Sequence, residues 1–257
     1  VSRAAEPGRP ARVLVVEHEA DAGLGLVGER LRVAGADVTI VGPDAGVEVP
    51  ATLEGFDGLL VLGGSPGPLD DERAPWLVST RRLMRAALDD DVPLLGVCLG
   101  AQLLAVVAGG EVAPAARGGE VGVNALQATD AAASDPLLHD LPADLRAMQW
   151  HFLEVRDLPA GSVALCASDR CPNQAFRVGA AAWGLQFHLE ATARTAIDWT
   201  ATGADDLAIA GLTAADVVAD AEDAEDELRR TWSVVADRWI DVVRRSADDA
   251  LAAGAVA

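Results

Sequence analysis

This sequence predicts an α/β fold: a mostly parallel central sheet, helices on both faces and a helical C-terminal tail. Three observations lead there. Short apolar runs at residues 12–16, 58–62 and 93–97 have the character of strands buried on both faces. Segments with apolar residues three and four apart follow or separate them, at 21–34 and 75–91. Beyond residue 213, Leu228, Trp232, Val235, Trp239 and Val242 step by four, three, four and three, which is one face of a helix.

The elements follow in order. RVLVV at 12–16 is a first strand, and Leu24, Val27, Leu31 and Ala34 mark the inner face of the helix at 21–34. A second strand is expected at 38–41. A third, GLLVL at 58–62, ends in Gly63–Gly64. The helix at 75–91 opens on Pro75, which suits a first turn because the N–H it lacks would be unpaired there anyway. Its inner face is Leu77, Leu83, Met84 and Leu88. A fourth strand covers 93–97, and a helix runs from about 100 to 108. This alternation of strand and helix is the pattern of a parallel sheet covered on both sides.

The rhythm then changes. Residues 121–128, 146–149, 163–167, 174–178 and 181–187 read as shorter strands, partly antiparallel because few helical patterns separate them. Helix resumes from Glu190. Thr213 and Asp216 have the spacing of a capping box at the head of the tail helix. The acid run at 220–227 reads as a solvated helix face. The organisation expected is a flexible lead-in at 1–11, one domain at 12–205 and a helical extension at 206–257 packed on that domain. No internal repeat and no long linker interrupt it.

Composition narrows the function. At 257 residues the chain suits one generous domain or two small ones, with a core large enough to need no disulfides or metal. Hydrophobic residues at 51% and charged residues at 23% exclude wholesale disorder. Forty acids against 20 bases give a net charge of −20, a poor match to a phosphate backbone, so no nucleic-acid partner is expected. All the bases are Arg, and without Lys neither a lysine Schiff base nor a P-loop lysine is available. Three cysteines, Cys98, Cys166 and Cys171, form neither a disulfide framework nor a zinc motif. Cys166 reads as a core strand residue and Cys171 as a loop residue. The N-terminal residues lack the apolar stretch of a signal peptide, so a reducing cytoplasm is the default location. Residues 92–110 are apolar enough to cross a bilayer. Pro93, Gly96, Gly100 and Gly109–Gly110 punctuate them, however, and no aromatic or basic anchors flank them. They read instead as strand, turn and helix, with no membrane association.

The chemistry concentrates in three places. In Gly96-Val97-Cys98-Leu99-Gly100 a strand delivers a cysteine to a tight turn and a helix starts at once, a nucleophile elbow with sulfur in place of oxygen. The helix N-terminus there favours thiolate over thiol. In Gly184-Leu185-Gln186-Phe187-His188-Leu189-Glu190 an imidazole comes at a strand end with a carboxylate two residues on. Such a pair can move a proton and hold the ring's tautomer. In Val61-Leu62-Gly63-Gly64-Ser65-Pro66-Gly67 a glycine-rich loop offers bare N–H groups. With the N–H of Leu99 it could receive an oxyanion; a phosphate loop is the rival reading. All three sit where a predicted strand ends, the edge at which open α/β sheets build their sites. His151 could line the pocket or be structural. His18 and His139 are expected at the surface, and the six Trp are expected in the core.

These stretches, GVCLGAQLLA, VLGGSPG and GLQFHLE, together resemble the signatures of class I (triad) glutamine amidotransferases. The resemblance spans about residues 12–200 and is greatest to stand-alone GMP synthase-like members, supported by Met148-Gln149-Trp150-His151 and by Pro172 to Arg177. It implies a three-layer, flavodoxin-like fold. It implies Cys98 as nucleophile, His188 as general base and acid, and Glu190 as its orienter. The oxyanion hole would be the N–H groups of Gly64 and Leu99. Gly63, Gln102, Glu120 and His151 would lie toward the substrate, Gln102 against the glutamine and Glu120 near its amino-acid end. The sequence departs from the family in reading His188-Leu189-Glu190 for HPE, Leu153 where an Asp often follows the Trp-His pair, and Gly64-Ser65-Pro66 for GGP.

The function implied is cleavage of the glutamine side-chain amide to glutamate and ammonia through a Cys98 thioester, with no metal or organic cofactor. The sequence has neither a P-loop nor an SGGxDS loop, so the ammonia would go to an unknown acceptor or a partner synthase. Two alternatives stand beside it. One is hydrolysis of a γ-glutamyl amine or peptide by the same three residues. The other is a non-catalytic regulator on the same fold.

Overall fold

The computed structural model describes residues 9–254. Most of the expected lead-in, residues 1–8, and the last three residues of the expected extension lie outside the described residues. The first elements are β1 (Arg12–Val16), α1 (Gly25–Val33), β2 (Asp37–Val41), β3 (Gly58–Val61), α2 (Trp76–Asp89), β4 (Leu94–Val97) and α3 (Leu99–Ala108). Then come β5 (Glu111–Pro114), β6 (Glu120–Ala125), β7 (Gln127–Ala128), β8 (Arg146–His151), β9 (Leu153–Asp157), β10 (Val163–Ala167), β11 (Ala175–Val178) and β12 (Ala182–Leu185). Three helices end the chain: α4 (Ala193–Thr202), α5 (Ala204–Ala210) and α6 (Ala214–Gly254).

The main sheet has the order β2-β1-β3-β4-β12-β11-β10-β7. The pairings from β2 through β12 are parallel, and those of β11, β10 and β7 are antiparallel. Two ribbons, β5 with β9 and β6 with β8, complete it.

Strand alternation sorts the core into two layers. Val13 and Val15 of β1 join Leu26, Val27 and Leu31 of α1 and Trp232, Val235 and Trp239 of α6. Leu14 and Val16 face the other way, onto Leu77, Leu83 and Met84 of α2 and Leu103 and Leu104 of α3. A third cluster seats Val121 and Met148 of the β6–β8 ribbon against Trp199 of α4 and Val217 and Ala221 of α6. Each large apolar side chain so buried contributes roughly 1.5–3 kcal/mol. The ion pairs between α6 and α1, Arg30–Asp237 and Arg229–Glu29, are solvent-exposed enough to add little. Burial therefore holds the tail helix down.

Several expectations are corrected. Residues 21–24 precede α1 rather than begin it, because the chain turns at Gly25 (φ 44°) and the Leu26 N–H reaches the Glu190 carbonyl. The strand expected at 121–128 breaks at Leu126, whose N–H donates to Leu145 O while its side chain is buried. Strands β5 and β9 lacked a clear apolar pattern in the sequence. The acid run is more than a solvated face: Glu225 accepts the N–H of Ala193 at the head of α4, and Glu227 pairs with Arg146.

The glycines around the β4–α3 turn are set by packing. A Cβ on Gly96 would lie 2.4 Å from Gly100 O, and one on Gly100 would lie 2.1 Å from Val61 O. Side chains at either position would force α3 off the sheet. Gly100→Ala is expected to destabilise the protein by about 2 kcal/mol or more, measured by urea denaturation. An unchanged midpoint would show that the helix does not depend on this contact.

Candidate active site

The parallel strands β1, β3, β4 and β12 end along one edge of the sheet, and their following loops surround a cavity of about 360 Å³. Cys98 leaves β4 with φ 51° and ψ −106°, a backbone conformation that a non-glycine residue holds only when its surroundings over-determine it. They do so here. The Cys98 N–H donates to Leu185 O at 2.8 Å, and Cys98 O accepts from Gln102 N at 3.0 Å. The side chain is buried to 6% exposure yet lines the cavity.

His188 follows β12 and is fixed by its N–H donating to Met148 O. Its ring Nδ1 donates to Glu190 Oε1 at 2.6 Å, with both side chains almost fully buried. A carboxylate only accepts, so the proton of this bond sits on Nδ1. Gly63 is where the segments meet. A Cβ there would lie 3.1 Å from His188 Cε1 and 3.6 Å from Cys98 Cβ, so a side chain at 63 would press on the imidazole and on Cys98. Burial pushes the His188 pKa down, but Glu190 and the nearby Cys98 sulfur outweigh it and raise the ring from 6.5 to about 10. The pairing with Glu190 therefore favours the cationic form of the imidazole. Its Nε2 has no hydrogen-bond partner among the described residues, and the Cys98 Sγ leans toward the Trp150 carbonyl at 3.9 Å.

A second ring of contacts braces this centre. Gln186 Nε2 lies 3.6 Å from Cys98 Sγ, and its Oε1 accepts from Gln102 Nε2 at 3.2 Å. Trp199 meets His188 edge to face at 4.6 Å and Trp150 at 5.7 Å. The indole N–H of Trp199 donates to Asp21 O, and that of Trp150 donates to Asp206 Oδ2. Gly64 lines the cavity, and Leu99 opens α3 beside Cys98. Neither N–H has a partner among the backbone hydrogen bonds of the described residues. A histidine near a cysteine, with a carboxylate behind the ring and backbone N–H groups without backbone partners nearby in the chain, suits nucleophilic attack on an amide carbonyl.

The remaining residues fall in different places. Gln102 and His151 line the cavity. Glu120 does not: its carboxylate accepts from Gln174 and Ser168 and faces His151 Nε2 at 3.5 Å, behind the pocket wall. It braces His151, whose Nδ1 bonds Leu153 O, and does not line the cavity itself. His18 is buried rather than at the surface, and His139 is half-buried with Nδ1 on Asp135 O. Trp150 and Trp199 are cavity walls as well as packing. Sequence reasoning gave no site role to these two or to Gln186. The adjacency of Trp150 to His151 and the place of Gln186 before Phe187-His188 were the available signals. Cys166 and Cys171 are buried and their thiols are pushed up to about 12, chiefly by burial, so neither competes as a nucleophile. No helix of the described residues is long and apolar enough to cross a membrane.

Comparison with known proteins follows the same lines. The family model described as glutamine amidotransferase class-I matches residues 21–199. The glutamine-hydrolysing GMP synthase subunit of Archaeoglobus fulgidus is 32% identical over 166 residues, 64% of this chain and 81% of that protein. Its counterpart of the same description from Haloarcula marismortui is 38% identical over 51% of this chain and 63% of that protein. A glutamine amidotransferase from Thermotoga maritima superposes with a TM-score of 0.81 at 28% identity, covering 91% of this chain and 99% of that one. A glutamine amido transferase from Methylobacillus flagellatus gives 0.79 at 27%, covering 91% and 94%.

His18, beneath Gly64, supplies a pH test. It accepts the Trp76 indole N–H on Nδ1, and burial lowers its pKa to about 4. The unfolded chain then binds a proton that the fold does not between pH 6.5 and 4. This contribution to stability is full above pH 6.5 and lost as pH falls, by up to about 3 kcal/mol. Urea midpoints at pH 7.5 and 5 should differ less for His18→Gln than for the unsubstituted protein. Equal differences would refute the assignment.

Proposed function

The chain belongs to the class-I glutamine amidotransferase family and is a cysteine amidohydrolase of that type; from this premise we propose that Cys98, His188 and Glu190 hydrolyse the glutamine side-chain amide. The observation that carries the assignment is the meeting of a strained Cys98 with His188, whose Nδ1 is held by Glu190 at 2.6 Å, at one cavity.

The Cys98 thiolate attacks the γ-carbonyl, and the developing oxyanion is received by the N–H groups of Gly64 and Leu99. His188 passes its proton to the departing nitrogen, and ammonia leaves a γ-glutamyl thioester. Water adds next, with His188 now accepting its proton, and the sulfur departs to release glutamate. Glu190 keeps the proton of the ring on Nδ1 so that Nε2 serves the reaction, and it stabilises the imidazolium. Gln186 and Gln102 hold the space beside the sulfur. Every step uses groups of this chain and water.

The relatives are subunits of glutamine-hydrolysing GMP synthases. We therefore assign the ammonia to a separate synthase partner, with L-glutamine as the small-molecule substrate.

Two experiments test this reading. A glutamine-analogue electrophile should add one adduct by intact mass spectrometry, mapped to Cys98 and missing in Cys98→Ser. Adducts on Cys166 or Cys171 instead would overturn the assignment. Glu190→Gln should lower kcat for ammonia release by about 10²–10⁴-fold with a smaller change in KM. Retention of full turnover would remove Glu190 from the mechanism.

A further inference from the structure

Gln186 follows Leu185, the last residue of β12, and is fully buried although its side chain ends in a carboxamide. Its backbone N–H donates to Gln174 O at 2.8 Å, which fixes the residue between β12 and His188. A buried carboxamide costs free energy unless both of its ends find partners. The oxygen has one, since Oε1 accepts from Gln102 Nε2 at 3.2 Å. The nitrogen has a single partner among the described residues, the Cys98 sulfur at 3.6 Å.

The direction of the amide follows from these contacts. Gln102 takes the oxygen, so the N–H side is turned toward the sulfur. Gln102 stands one helical turn past Cys98 on α3, and its own backbone N–H donates to Cys98 O. The helix that begins at the cysteine therefore also orients the donor. A neutral thiol is a poor partner for a buried N–H, because its sulfur is a weak acceptor. A thiolate is charged and binds the same donor more strongly. The Trp150 carbonyl, 3.9 Å from Sγ, can accept the hydrogen of a thiol but repels a thiolate. The other groups facing the sulfur are His188 with Glu190 behind it, the head of α3, and Glu19, Asp21 and Asp206 along the cavity. Among these side chains Gln186 is the neutral one, so its donation persists at every pH.

We propose that Gln186 is a further catalytic residue, its side-chain N–H donating to the Cys98 thiolate before attack and again as the thioester breaks. The inference rests on the Cys98 chemistry proposed above and adds a group that touches the reacting atom. On attack, a sulfur electron pair forms the bond to the γ-carbon and the contact with Gln186 weakens. After water has added, the carbon–sulfur bond breaks, its electron pair returns to sulfur, and the N–H of Gln186 receives the thiolate. The donor lowers the intrinsic nucleophilicity of the sulfur somewhat, but a larger share of it is ionised.

The test is the rate of Cys98 alkylation by iodoacetamide across pH, located by peptide mass spectrometry, because the thiolate is the species that reacts. Gln186→Met nearly keeps the length of the side chain and removes the donor. The midpoint of the labelling profile should rise by about one pH unit, so that labelling falls about tenfold at low pH and recovers as pH rises. The kcat/KM for glutamine should fall by about the same factor at neutral pH, with KM changing less. Gln186→Glu is nearly isosteric and decides the question should the Met variant not fold. It sets a carboxylate beside the sulfur and should move the midpoint further in the same direction. Cys98 and His188 titrate as a pair, and comparing variants that keep His188 isolates the part due to the amide. An unmoved midpoint in a folded variant would make Gln186 packing alone and overturn this proposal, with the glutaminase intact. Absence of Cys98 labelling in the unsubstituted protein at every pH overturns both.

Discussion

Strand β12 lies parallel beside β4 with Leu185 opposite Val97, and the proposed catalytic arrangement depends on that register. The residue after Val97 is the cysteine, and three residues after Leu185 comes the imidazole. Because Cys98 N–H donates to Leu185 O, the same ladder that builds the sheet also fixes the elbow. A slip by one residue would turn every side chain of β12 to the opposite face. The register is held by small residues on both strands. Gly96 faces Gly184, and a Cβ on Gly184 would lie 2.4 Å from the Phe176 ring. Large side chains at these points would spread the strands and part sulfur from ring.

Given that geometry, electrostatics sets the resting state. A histidine as buried as His188 would ordinarily be neutral, since burial disfavours its charge. Glu190, with the Cys98 sulfur, tips the balance toward the charged ring through the Nδ1–Oε1 bond. In the proposed mechanism the pair holds a proton where a leaving group needs it; it adds little stability, because desolvating both partners offsets most of their attraction. Trp199 closes the other side of the ring and is tied to the loop after β1 through Asp21 O. The aromatic wall therefore links the surroundings of the sulfur to the first strand of the chain.

The long tail helix serves the site at a distance. It packs on α1, α4 and the β6–β8 ribbon, burying Trp232 and Trp239. Trp232 donates its N–H to Arg146 O at the head of β8, the strand that carries Trp150 and ends in His151. Glu225 of the same helix accepts an N–H at the start of α4, which carries Trp199. One helix thus positions both indoles of the cavity wall, although none of its own described residues lines the cavity.

Much of this was legible in the sequence. Apolar runs and helical spacing marked every parallel strand and the tail helix, because these signals are written within a few neighbouring residues. The elbow glycines, the glycine loop and the His188-Leu189-Glu190 turn were visible for the same reason. The short strands β5 and β9 were not, since EVAP and LEVRD carry too little alternation to mark a face. Nor could sequence reveal that His18 is buried, that Glu120 turns away from the cavity, or that Trp150 and Trp199 wall it. Those outcomes depend on which distant segments the sheet register brings together. The sequence determined which groups could react and on what turns they would stand. The tertiary structure alone decided their separation, their exposure to water and so their charge, because a pKa and a contact both depend on neighbours far along the chain.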